Sequence, residues 1–204
     1  MFNTELEKGW IATHEKIVFP DEKGKSWQDY VKANRLEITC GEAPYLASRY
    51  DSVTGQSIPV SERIGLLDRK LRVVGENVDN EQQWLTWAKK AVQSVYGYDW
   101  QGDNVLLARE NLLFTVMDFD KEKFNQSLAK NEKYLSEIAR ILSWNIWQMD
   151  GLKFVVPNSC HDGCEGCAKR DLGKHNGIYC RIYDWPANRS IEFYSLYKGA
   201  KNGD

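Results

Sequence analysis

Residues 160–180 constrain the chain more tightly than any other stretch: Cys160-His161-Asp162-Gly163-Cys164-Glu165-Gly166-Cys167 is followed by His175 and then Cys180. Thiolate and imidazole suit a borderline-soft ion, and two cysteines separated by two residues can clasp one side of a tetrahedral zinc. Gly166 between them permits the tight turn. Cys164, Cys167, His175 and Cys180 form the pattern C-x2-C-x7-H-x4-C. Cys160 is the alternate fourth ligand, and Cys160 and His161 bring the candidates to six for four positions. The two pairs resemble those of a zinc knuckle, but the longer middle spacer argues against knuckle-type nucleic-acid binding. A closed, cysteine-rich set leaves no position for water, so the expected metal is a structural zinc. Four of the five cysteines lie in this loop beside two of the three histidines, which fits metal binding in a reducing compartment better than a disulfide framework.

The 204 residues suffice to bury a core, and a formal net charge of −2 lacks the cationic excess that gives autonomous affinity for DNA phosphates. No run approaches the roughly 20 apolar residues needed to cross a bilayer, and the N-terminus lacks the order of a secretory signal. A cytoplasmic protein without a membrane partner is expected.

Residues 1–25 read as an arm or edge strand around Lys16-Ile17-Val18-Phe19. Ser26 suits the N-cap of a short helix bearing Trp27, Tyr30, Val31 and Leu36. Residues 37–58 carry no sustained period and read as irregular. Helices are expected from Ser61 to a stop at Gly75, from Asn80 to near Gly97, and from Asp103 to Met117. A further stripe joins Leu135, Ile138, Leu142, Ile146 and Met149. Phe154-Val155-Val156 suggests a short strand, and residues 178–185 and 191–197 a hairpin turning at Pro186-Ala187-Asn188-Arg189. The expected class is α+β: a mainly helical body over 1–153, with a zinc-stabilised loop and hairpin over 154–204 packed on it.

Other constellations are thinner. Glu37, Glu42, Asp68 and Lys70 could assemble the acid-plus-lysine set of a divalent-metal nuclease; the simpler reading of the charges at 62–70 is a wet helix face. Cys40 with His14 could pair a nucleophile with a base, although a cysteine beside glycine is more often a buried small hydrophobe. Asn176-Gly177 beside His175 invites comparison with HNH nucleases, without the further residues of that site. Lys169, Arg170, Lys174 and Arg181 could meet phosphates, and Trp144, Trp147, Trp185, Tyr179, Tyr183 and Tyr194 could stack on bases or simply fill a core. Phosphate-loop and dinucleotide fingerprints are absent. So is the (D/N)-P-P-(Y/F) tetrapeptide of amino methyltransferases, Glu42-Ala43-Pro44-Tyr45 holding the one Pro-Tyr, and no methyl-donor site is recognisable.

Five blocks, LEITCGEAPYLASRYD (36–51), RIGLLDRKLRVVGEN (63–77), YGYDWQGDNVLLARENLL (96–113), ILSWNIWQMDGLKFVVPNSC (141–160) and HNGIYCRIYDW (175–185), together resemble phage- and prophage-borne Firmicutes proteins known as restriction endonuclease subunit M, or methylase-associated proteins. The resemblance implies phage biology in a restriction–modification or counter-defence setting. The expected role is binding, with a host defence protein or a restriction–modification component as partner. The alternatives are the nuclease above and direct DNA binding through the zinc unit.

Overall fold

A computed structural model describes residues 26–51, 53–125 and 128–201. The expected N-terminal arm, with Lys16–Phe19, and His14 lie outside the described residues.

Ser26 caps α1 (Trp27–Lys32) by accepting from the Asp29 N–H, while the Asp29 carboxylate accepts from the Ser26 N–H. The chain then turns into β1 (Arg35–Ile38), so Leu36 belongs to a strand and not to the helix stripe. Helices α2 (Leu66–Asn77) and α3 (Glu81–Gln93) follow, then β2 (Val95–Asp99), α4 (Gly102–Phe124), α5 (Glu132–Asn145) and β3 (Ile146–Gln148). Asn80 and Asn131 accept from the third N–H of α3 and α5, where short polar side chains satisfy otherwise orphaned donors. Gly75, expected as a stop, lies inside α2, and Asn125 in the left-handed conformation ends α4.

The three strands form one parallel sheet in the order β1-β2-β3, with Leu36 opposite Tyr96, Ile38 opposite Tyr98, and Tyr98 opposite Trp147. Side chains alternate across a strand, so Leu36, Ile38, Tyr96, Tyr98 and Trp147 share one face, and Val95, Gly97 and Ile146 the other. On the second face Val95 and Ile146 join the main core with Leu67, Leu71, Trp84, Val92, Leu112, Ile138 and Leu142 from α2–α5. On the first, Tyr98 and Trp147 pack with Met149, Cys180 and Ile182 in a smaller core that also receives Phe193. Burial of each such side chain is worth roughly 1.5–3 kcal/mol, so both faces stabilise the sheet.

The smaller core is closed by the C-terminal unit. After the short helix α6 (Glu165–Lys169), strands β4 (Arg181–Asp184) and β5 (Arg189–Glu192) pair antiparallel, Ile182 opposite Ile191. The expected hairpin is present, but its second arm ends early: Phe193–Lys201 is helix α7. Val155 makes isolated bridges to Asp150 and Tyr179 in place of the short strand expected there. The chain has both helices and strands, as the α+β expectation required; the parallel sheet inside the helical body was not foreseen. No described helix is long and apolar enough to cross a membrane.

Candidate metal centre

After β3 the chain turns at Asp150, whose N–H donates to Val155 O and whose carboxylate accepts from Leu152 N–H. Val156 and Cys180 continue the zip to Ile178 and Phe154, so the metal loop is seated on the carboxyl side of the sheet. Within the loop Gly163 takes the left-handed conformation at φ 72°, and Cys164 begins α6, which carries Cys167 one turn on. A Cβ on Gly166 would lie 2.7 Å from His175 N, so only glycine lets the helix approach the segment that brings in the histidine. The Gly166 N–H donates to Lys174 O at 2.9 Å across that contact.

Cys160, Cys164, Cys167 and His175 converge, with all four ligand atoms within 4.8 Å of one another. His175 Nδ1 stands 3.6, 3.5 and 3.6 Å from the sulfurs of Cys160, Cys164 and Cys167. Zinc–sulfur and zinc–nitrogen bonds of about 2.3 and 2.0 Å at tetrahedral angles give a nitrogen–sulfur edge of about 3.5 Å. Hydrogen bonding does not account for the arrangement, because one ring nitrogen cannot serve three thiols. The backbone N–H of Asn176 leads in holding the Cys164 thiol down to about 6, while burial pushes Cys160 up to about 11. A dication removes that contrast by taking every thiol as thiolate. The donor set therefore fits a closed zinc site. Around it, Tyr179 OH accepts from His175 N–H and donates to Leu172 O, and the Asn176 amide bridges the His161 N–H and C=O.

Cys180 stands apart from this group. Its register in the strand that follows turns Sγ toward Gln148 O in the smaller core, and burial pushes its thiol up to about 12. Cys160 occupies the fourth place in its stead, and His161 is exposed.

The nuclease candidates Glu37 and Asp68 both meet the segment 45–48, Glu37 at Leu46 N–H and Asp68 at Ser48 N–H. Glu37 accepts from the Tyr45 and Leu46 N–H groups, and burial raises its carboxyl to about 7. Glu42 accepts from Tyr50 OH. Asp68 caps α2, accepting from Gly65 N–H and from the Ser48 N–H and hydroxyl. The buried Lys70 amine donates to Val31 O, Ala33 O and Ser94 Oγ. Each is committed to a local hydrogen-bond network. Cys40 is buried and its thiol is pushed up to about 12.

Of the basic residues, Lys169 and Lys174 both contact Glu165, and Arg181 donates to Ser190 and approaches Glu192. Trp147 packs on Phe193, and Trp144 and Trp185 both pack on Tyr183.

One feature escaped sequence reasoning. The turn after β1 runs through three left-handed residues, Thr39 at φ 49°, Gly41 at 54° and Ala43 at 62°, two of which carry a Cβ. The Gly41 N–H donates to the Asp99 carboxylate at the end of β2, which also accepts from Gln101 and Asn104. Open space lies where a Gly41 side chain would be. Gly41 itself was the available signal; the strain at Thr39 and Ala43 had none. The sequence matches no family model, and neither a curated protein nor a solved structure matches it.

Proposed function

We propose that this chain is a zinc-stapled protein that acts by binding inside a bacterial host cell, in a phage-borne restriction–modification or counter-defence setting. Its ligand on this reading is a nucleoside-type small molecule laid across the carboxyl ends of β1–β3. Parallel sheets take their ligands outside the carboxyl ends of their strands, where the connecting turns gather. The observation that carries the reading is the turn at Thr39–Ala43. A β-branched residue at positive φ is costly and persists only where its surroundings over-determine it, and such strain gathers at ligand sites. Here Asp99 supplies the restraint, and Gly41 leaves the approach open. Asp150 borders the same edge and links it to the metal loop. The resemblance to methylase-associated proteins supports the setting.

The test is thermal unfolding with and without adenosine. A ligand bound only by the folded chain raises stability by RT ln(1 + [L]/Kd), about 2.7 kcal/mol at a hundred times Kd. The rise is expected in the native chain and lost in Gly41→Val, with circular dichroism confirming that the variant folds. No rise at millimolar ligand would refute the reading. A host defence protein or modification component remains the proposed macromolecular partner, to be sought by capture from host lysate.

A further inference from the structure

The metal loop keeps its imidazole inside and turns its cysteines toward solvent. His175 is buried, and its N–H donates to Tyr179 OH. Cys160, Cys164 and Cys167 line an open recess of about 710 Å³, shared with Asp150, Lys153 and His161. Of the three, Cys164 is buried, Cys160 is half-buried and Cys167 is exposed. The remaining cysteines, Cys40 and Cys180, are buried, and burial pushes both of their thiols up to about 12. A reactive cysteine needs thiolate character and access together. A dication takes its sulfur ligands as thiolates, and three thiolates against it leave the centre anionic, so the sulfurs keep electron density to donate. Among the five cysteines, Cys167 combines both requirements most fully.

We propose that Cys167 is the chain's site of covalent modification by hydroperoxides, with Cys160 as the resolving thiolate, an assignment that rests on the zinc reading of this centre. The Cys167 sulfur attacks the outer oxygen of the hydroperoxide. An S–O bond forms, the O–O bond breaks, and the departing hydroxide or alkoxide takes a proton from solvent, leaving a sulfenic acid on Cys167. The Cys160 sulfur then attacks the Cys167 sulfur: the S–S bond forms, the S–O bond breaks, and the hydroxide that leaves is protonated in the same way. The two sulfurs together give up two electrons, which the hydroperoxide accepts. The sulfurs of Cys160 and Cys167 lie within 4.8 Å of each other, and Cys160 stands in a stretch that is neither helix nor strand, so the loop can close the remaining distance. The disulfide removes two of four ligands, and Cys164 with His175 does not make a closed site. Oxidation thus unfastens the loop from its metal, and a reducing thiol restores both sulfurs.

The test treats the full, zinc-loaded chain with hydrogen peroxide while a chromogenic chelator reports released metal and peptide mass mapping reports the thiols. Zinc release is expected together with loss of the Cys160 and Cys167 thiols, a disulfide between them, and dimedone trapping of the sulfenic acid at Cys167. Substoichiometric N-ethylmaleimide should label Cys167 at least about tenfold faster than Cys164. Cys167→His keeps four ligands and removes the exposed sulfur, so it should hold zinc and lose it to peroxide at least about tenfold more slowly. Zinc release without modification of Cys167 overturns the proposal, as does a Cys167→His variant as sensitive as the native chain. Mapping on the native chain decides the matter whether or not that variant folds. Zinc that stays bound in millimolar peroxide sinks the modification site and leaves the metal reading standing, whereas a chain that takes up no zinc removes both.

Discussion

Asp120 sits in α4 with no exposed surface, and neither carboxylate oxygen has a hydrogen-bond partner among the described residues. Burial, with the Glu81 charge adding to it, raises its carboxyl from the ordinary 3.8 to about 6. Between those values the folded chain holds a proton that the unfolded chain has released. Stability therefore falls as pH rises through that window, and the loss is complete above it. Asp120→Asn keeps the shape and removes the ionisation. It should raise the unfolding free energy at neutral pH by about 1–2 kcal/mol and flatten the decline between about pH 4 and 6. Thermal melts of the two proteins across that range check this, and equal profiles would mean that Asp120 does not ionise in isolation.

At the level of elements, the metal loop and the sheet should respond separately. Zinc content measured after purification should be near one per chain, lost in Cys160→Ser and retained in Cys180→Ser, whose penalty is instead about 1–2 kcal/mol of core stability. Chelation should expose amides over 160–180 to exchange and leave those of Val95–Tyr98 protected, because the main core lies on the opposite face from the metal unit. The four-ligand chemistry was legible in the cysteine and histidine spacing; the identity of the fourth ligand was not. His175 and Cys180 have the spacing of a ligand pair, yet the main chain pairing of Cys180 with Phe154 and Phe193 turns its sulfur into the core. The helices were legible from their apolar stripes and caps, and the sheet was not, for a related reason. Each strand is short and two of them follow a helix almost without a break: α3 ends at Gln93 and β2 starts at Val95, while α5 ends at Asn145 and β3 starts at Ile146. Ile146 extends the stripe of Leu135, Ile138 and Leu142 because it faces the same helical core from a strand. Hydrophobic spacing records which core a residue enters, and here one core receives both kinds of element.

For the whole molecule, the connection between its first and last described elements runs through the sheet. β1 follows α1 at one edge, and β3 leads to the metal loop at the other. The carboxyl ends of the strands lie between these two edges, bordered by the Thr39–Ala43 turn and by Asp150. The near-balance of charge is local as well as global: Glu165 holds Lys169 and Lys174, and Asp118 holds Arg49 and Arg63. The exposed pairs at Glu165 add about 0–1 kcal/mol each, so their effect is more on the surface field than on stability, whereas Arg63 is itself buried. Lys70 is the exception among the cations, a completely buried amine fastened to the last carbonyls of α1 and to Ser94. Its burial should shield the amine from an acylating reagent for as long as α1 stays packed on α2 and α3, which labelling of the native chain followed by peptide mass mapping would check.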